Sequence, residues 1–268
     1  MAAQLKEQGN VLFRNGDYAG ADSFYSKAIV LEPKNPALYT NRAMARLKLR
    51  QWEAVIADCH NCLVLAPDNM KARYYLAQAQ LEIKDFDEAV ANALVAHRIC
   101  ADTNDKNLKP VTELVLRCKK DRWDEREKHR VREDQGLERE LAALLAMDRD
   151  QAVGDVDSEL ERKTIHEEYD AKLKRLAHVF ERARAADQKE RKVPQWAIDD
   201  ISFGFMVDPV VTKNGKSYER SSLIDHLRRN QTDPLTREHM TPADVRPNLA
   251  LKEACNEFLE TNGWAADW

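Results

Sequence analysis

Five cysteines in 268 residues, no surplus of positive charge and no long apolar run are the first constraints this sequence sets. Cys59, Cys62, Cys100, Cys118 and Cys255 are scattered, which argues against a disulfide framework, and no second CxxC completes a zinc site. Cys59-His60-Asn61-Cys62 falls at small-residue positions of a helical repeat, so it reads as buried reduced thiols rather than a redox or metal motif. With a formal net charge of −4, nucleic acid is a poor default partner. No stretch approaches the roughly 20 apolar residues that span a bilayer, which leaves no membrane segment to expect. Met1-Ala2-Ala3-Gln4-Leu5-Lys6 has no signal-peptide pattern. The expectation is a cytoplasmic protein, with the nucleus also open to it.

What is present is periodic. Over the first hundred residues Gly9, Ala43 and Ala77 are equally spaced, as are Tyr18, Trp52 and Phe86, then Ala21, Val55 and Ala89, then Ala28, Cys62 and Ala96. Pro33 and Pro67 close the first two units, where the third has Ala101. Small residues let two helices approach closely and the aromatic fills the space at their crossing. The spacing is that of tetratricopeptide repeats, three helix pairs that bury their faces only by stacking into a curved solenoid. The first helix of each pair lines the concave side. There Lys6 and Asn10 are i, i+4 neighbours, Asn41 lies in unit two and Lys71 opens unit three. Two ammonium groups and two carboxamides on one groove suit a peptide's terminal carboxylate and an acidic side chain, because charge-assisted donors bind most strongly.

From Leu108 the pattern changes. Leu108, Val111, Leu114, Val115 and Cys118 predict a seventh helix capping the solenoid, continuing through a charged run to Asp134 with Asp124–Lys128 and Arg130–Asp134 at i, i+4. Leu137, Leu141, Leu144 and Leu145 restore an apolar stripe; the chain can turn near Gly154 and Asp155; Ile165, Tyr169, Leu173, Leu176 and Phe180 form a second stripe. This predicts a helical hairpin with more apolar surface than two helices cover, and hence a homodimer. A charged run from Glu181 to Lys192 leads to a helix end at Val193-Pro194.

The last segment reads as a compact ββα unit. Val210-Val211-Thr212 and Ser217-Tyr218-Glu219 flank Asn214-Gly215, predicting a hairpin with a type I′ turn. Ser221 or Ser222 is expected to cap a helix carrying Leu223, Ile224 and Leu227, Asp233-Pro234-Leu235-Thr236-Arg237 to form an exposed loop, and Asn248 to start a helix carrying Leu251, Cys255, Phe258 and Leu259.

Here the chain resembles a known family. Ile201-Ser202-Phe203, Met206-x-Asp208-Pro209, Ser217-Tyr218-Glu219-Arg220, Asp233-Pro234-Leu235-Thr236-Arg237 and Pro247-Asn248-Leu249-Ala250-Leu251-Lys252 are similar to a U-box, the RING-like module that recruits a ubiquitin-charged conjugating enzyme. With Cys255 the one cysteine after residue 192, zinc at RING stoichiometry is excluded; no metal or cofactor is implied. The resemblance implies an E2-binding groove from Ile201, Phe203 and Pro234, with Arg237 donating hydrogen bonds beside it. Lys6, Asn10, Asn41 and Lys71 likewise resemble the carboxylate clamp of repeats that hold the C-terminal Glu-Glu-Val-Asp of Hsp70 and Hsp90 chaperones. Where many clamps have Arg, this chain has Tyr75. The whole chain is similar to the combined tetratricopeptide and U-box ubiquitin ligases, some of which also have an aromatic there.

The fold class expected is mainly α: repeats with a capping helix over 1–118, a dimerising hairpin over 119–192, and a small α+β U-box over 193–268. The function implied is an E3 ubiquitin ligase and co-chaperone acting on chaperone-bound misfolded clients, with no catalytic nucleophile of its own. A non-catalytic co-chaperone or scaffold and a thioester-forming ligase are the two alternatives.

Overall fold

The computed structural model describes residues 1–187 and 192–268, the side chains of 184–187 excepted. Six helices, α1 (Ala2–Arg14), α2 (Tyr18–Leu31), α3 (Pro36–Lys48), α4 (Trp52–Leu65), α5 (Met70–Glu82) and α6 (Phe86–Thr103), make the three pairs that the period predicts. Their starts follow from side-chain capping. Asp17, Asn35 and Asn69 accept from the amides of Gly20, Ala37 and Ala72 at 2.8, 3.2 and 3.0 Å. Proline cannot continue a helix, and α2 and α4 stop at 14 residues just before Pro33 and Pro67. Ala101 imposes no such stop, and α6 runs to 18 residues.

The columns of the repeat are matched in size across each helix pair. A Cβ on Gly9 would lie 2.7 Å from the ring of Tyr25, so unit one needs glycine where it carries an aromatic beneath. In the same columns unit two sets Ala43 against Cys59, and unit three Ala77 against Ala93. The turn inside each pair also repeats: Gly16, Arg50 and Lys84 all have positive φ, at 84°, 57° and 65°. Only the first of these is a residue for which that conformation is free of a side-chain clash. Within unit two Arg42 and Arg46 hold Asp58 (2.6 and 3.0 Å), and from there they reach across to unit one, Arg42 to Ser26 (2.9 Å) and Arg46 to Asp22 (2.7 Å).

Helix α7 (Leu108–Gly154) begins as the expected cap: Leu108 and Val111 pack on Ala96 and Cys100, and Leu114, Val115 and Cys118 on Ala89, Val90 and Ala93. It continues unbroken through the charged run. Arg130 pairs with Asp134 and also with Glu127, whereas Lys128 approaches Glu125 at 3.9 Å. The chain turns after Gly154 into α8 (Glu159–Asp187), and Tyr169 closes the helical hairpin by donating to Asp148 at 2.5 Å. Residues 188–191 of the second charged run lie outside the described residues.

The C-terminal module has β1 (Pro209–Val211), β2 (Ser217–Glu219), α9 (Arg220–Asn230), β3 (Arg246–Pro247) and α10 (Leu249–Thr261), with strand order β2-β1-β3 and antiparallel pairing throughout. Asn248 caps α10 as expected, accepting from Leu251 at 3.2 Å. Two local expectations are corrected. The hairpin turn is not type I′: the amide of Gly215 donates to Thr212 and that of Thr212 to Lys216, and within the turn only Gly215 has positive φ. A three-residue loop with a glycine bulge frees Asn214 to accept from Thr212 and Lys216, which a type I′ turn would not allow. Neither serine caps α9. The N-cap is Glu219 and the helix already begins at Arg220, whose amide donates to the carbonyl of Asp208 at 3.1 Å, so the orphan donor is met by backbone. Val207, just before β1, is buried among Ala93, Val90 and Val115 of the repeats, and Lys119 of α7 donates to Asn256 of α10 at 2.8 Å.

Candidate functional site

Two places concentrate chemistry. On the concave side of the repeats, Asn10 and Asn41 meet: the Asn41 amide nitrogen lies 3.4 Å from the Asn10 oxygen. Tyr25 fixes that oxygen from below with a 2.9 Å hydrogen bond, which leaves the Asn10 amide nitrogen facing outward, where Glu7 accepts from it at 3.0 Å. Lys71 is exposed, Lys6 is half-buried, and neither pairs with a carboxylate among the described residues. The two carboxamides are thus brought together beside two helices that carry uncommitted ammonium groups. Tyr75 is half-buried against the α4–α5 core, and burial pushes its hydroxyl up to about 12. Tyr25 was not anticipated from sequence; the signal was its place in the column opposite Gly9.

The second place is a pair of loops built on one plan. In the first, Asp199 donates its amide to Gly204, Phe203 donates to the carbonyl of Asp199, Met206 donates to Ala197, and Ile198 bridges Phe205. In the second, Asp233 donates to Glu238, Arg237 to Asp233, Met240 to Gln231, and Thr232 bridges His239. Each loop therefore hangs from a buried aspartate and ends its turn in a left-handed residue, Phe203 at φ 58° and Arg237 at φ 60°. The carboxylates do the holding. Asp199 accepts from the amide and hydroxyl of Ser202 and from the amide of Glu219; Asp233 accepts from the amides of Leu235 and Thr236 and from Asn214. Burial raises the Asp233 pKa, but those amide donors outweigh it and hold the carboxyl below its usual range.

His226 of α9 draws the loops together. Its Nε2 donates to the carbonyl of Thr232 at 2.9 Å, and it lines with Ile201 and Ser202 a shallow cleft of about 260 Å³. Phe203 is 74% exposed and Arg237 is exposed, as the sequence suggests. Pro234 is half-buried. Ile201 is not a free loop tip: it packs against the core of Val210, Tyr218, Leu223 and Leu227, because the first loop folds back over β1 and α9. Leu235, which stands in the second loop where Ile201 stands in the first, is 66% exposed. The sequence predicts no role for Asp199 or His226, gives Asn214 only a turn and Leu235 only a place in the exposed loop; the repeated Asp-x-x-Ser/Thr followed by methionine, at Asp199–Met206 and Asp233–Met240, was the signal for the loops.

Residues 193–264 match the U-box domain family. The Arabidopsis thaliana protein named E3 ubiquitin-protein ligase CHIP is 33% identical over 270 residues, covering 99% of this chain and 95% of its own length. The chain belongs to the CHIP family of U-box E3 ubiquitin-protein ligases. The Hsp70/Hsp90 co-chaperone CNS1 of Saccharomyces cerevisiae is 31% identical over 102 residues, 37% of this chain and 26% of that protein. Among solved structures, the complex of the yeast Sti1 TPR2B domain with pHsp70 is similar over 44% of this chain and 94% of that one, at 25% identity and a TM-score of 0.42.

Membership of the CHIP family agrees with the state of the thiols. All five cysteines are buried, and burial pushes Cys255 and Cys118 up to about 12 and Cys62 and Cys100 to about 11, so none offers a thiolate to carry ubiquitin. The thioester-forming alternative is set aside on that ground.

Glu219 ties the stability of the module to pH. One carboxylate oxygen accepts from the amides of Val207 and Asp208 at 2.8 and 2.9 Å, and the other meets no donor in hydrogen-bond geometry among the described residues. Burial outweighs the amide donors and raises its pKa from 4.5 to about 7. The folded state thus favours the neutral acid, and stability from this group is greatest at acid pH and declines as pH rises toward 7. Thermal unfolding followed from about pH 5 to about pH 8 should show that decline, and Glu219→Gln, neutral throughout, should flatten it. A variant with the wild-type slope would assign the pH dependence to another group.

Proposed function

We propose that this CHIP-family ligase captures the acidic C-terminal tail of Hsp70- and Hsp90-type chaperones on its repeats (1–118), pairs with a second copy through the hairpin (119–192), and recruits a ubiquitin-charged E2 on its U-box (193–268). Acting in the cytoplasm, it transfers ubiquitin to misfolded clients that the chaperone holds. The observation that carries the first part is the meeting of Asn10 of α1 and Asn41 of α3, with Lys6 on α1 and Lys71 on α5 and no acid committed to either lysine among the described residues. A terminal carboxylate takes the two amides, the lysines add charge, and Tyr75 offers the edge of a ring where other clamps carry a cation. Glu7 is displaced from Asn10 when the tail enters.

Catalysis in this scheme is positioning. Phe203 and Pro234, with Ile201 supporting them from the core, meet apolar loops of the E2, and Arg237 donates hydrogen bonds beside them. The bound enzyme's ubiquitin is then held in reach of a client lysine. No residue of this chain takes or gives ubiquitin covalently.

Three measurements test the parts separately. Lys71→Ala should cost about 2 to 5 kcal/mol in calorimetric binding of a peptide ending in Glu-Glu-Val-Asp. Amidating the peptide's terminal carboxylate should do comparable damage, and unchanged affinity for either would remove the clamp. Phe203→Ala and Pro234→Ala should stop autoubiquitination while costing under about 1 kcal/mol of folding stability, because neither empties a core site. Ile201→Ala is a poorer probe, since its side chain is part of the core packing. Full activity in the double variant would move the recruiting surface elsewhere. The hairpin leaves Leu137, Leu144, Met147, Leu160 and Val179 exposed, so light scattering should return about twice the 30.8 kDa chain mass. A monomer at micromolar concentration would show that these stripes need no partner.

A further inference from the structure

The second helix of unit three is covered where its counterparts are not. In the columns that hold Asp22 and Ile29 on α2, and Ile56 and Leu63 on α4, the side chains are half-exposed; α6 has Val90 and His97 there, and both are buried. The cover is the C-terminal module. Val207 packs with Val90 and Ala93, and one turn further along α6 the ring of His97 is only 4% exposed. It borders a cleft of about 490 Å³ together with Asp208, Arg220 and Lys252 of the module.

The joint closes on a side chain that can take a proton and has nothing to hold one. The Nε2 of His97 is buried and meets no hydrogen-bond partner among the described residues. Of the module's charges, Asp208 favours a charged ring while Lys252 and Arg220 oppose it, and Asp208 is already committed to those two cations at 2.7 and 2.6 Å. From α6 itself Arg98 and Asp102 line the cleft, both exposed and of opposite sign. Helix α7 meets α6 through apolar Leu108, Val111, Leu114, Val115 and Cys118. We propose that protonation of His97 releases the C-terminal module from α6, so that the joint between module and repeats opens in acid. The sign follows from burial, which lowers the pKa of the ring to about 4 while the module covers it. A ring that the module has left returns to the ordinary value of about 6.5. Docking is therefore strongest above about pH 6.5 and weakens about tenfold for each pH unit below it, down to about pH 4. Glu219 acts in the other direction on the module's own folding, so the module leaves the repeats folded.

A thiol placed in the joint of the full chain reads its opening. Val207→Cys sets one against Val90 and Ala93, where dithiodipyridine reaches it only when the module lifts. The labelling rate at that position, located by mass spectrometry and divided by the rate for the unfolded chain at the same pH, gives the opening constant however small it is. Between about pH 7.5 and about pH 5 that constant should rise about thirtyfold. His97→Leu, the residue that unit two carries in this column, should abolish the rise, and Glu219→Gln should leave it in place. Cys59, buried within unit two, should keep one opening constant throughout, because only unfolding of the repeats exposes it. An opening constant that does not change with pH, that rises equally with His97→Leu, or whose rise is lost with Glu219→Gln overturns the proposal. A parallel rise at Cys59 would assign the effect to unfolding and overturn it equally.

Discussion

Buried carboxylates hold the loops of the C-terminal module, and their hydrogen bonds to backbone amides are the constraint on which the proposed recruiting surface depends. An isolated buried charge is costly, so each acid must be met by donors. Asp199 and Asp233 each take three, Asp208 takes Arg220 and Lys252, and Glu219 takes two amides while shifting toward its neutral form. Directional amide donors fix the loop path residue by residue, which holds Phe203 and Arg237 in left-handed backbone that these residues would otherwise avoid. The consequence is a module whose stability is coupled to proton activity through Glu219.

The repeats solve a different problem with the same economy of parts. Close helix packing demands that paired columns share a fixed volume, and Gly9 with Tyr25 meets it differently from Ala43 with Cys59 or Ala77 with Ala93. Choosing the aromatic in unit one places a hydroxyl under Asn10 that no other unit could supply. Packing thereby sets the orientation of a carboxamide in the groove: with its oxygen occupied by Tyr25, Asn10 presents its donor to the solvent side, as the proposed carboxylate clamp requires.

How much of this was legible in the sequence follows from the range of the forces involved. Period-34 columns report local packing that every unit repeats, so the helix pairs and their ends at Pro33 and Pro67 follow from residue spacing alone. The cap on α10 at Asn248 is equally local. The turn at Asn214 is not, because its side chain is recruited by Asp233 nineteen residues away, and that contact decides between two turns the dipeptide permits. The start of α9 shifted because Asp208 offers a carbonyl across the module, and Ile201 left the solvent because β1 and α9 lie beneath it. Tyr25 and His226 acquire their roles through tertiary contacts, to which single-sequence patterns are blind.

The proposed recruiting loops combine a rigid base with small exposed tips, and this combination bears on turnover. A ligase that works by positioning must bind the charged enzyme well enough to orient ubiquitin and release the discharged one quickly. Few anchors on a small interface keep dissociation fast, while loops already fixed by Asp199, Asp233 and His226 lose little conformational freedom on binding. Affinity is then set by the tips and orientation by the base. Substitutions at Phe203 or Leu235 should therefore change how long an E2 stays, and those at the buried aspartates how well it is aimed.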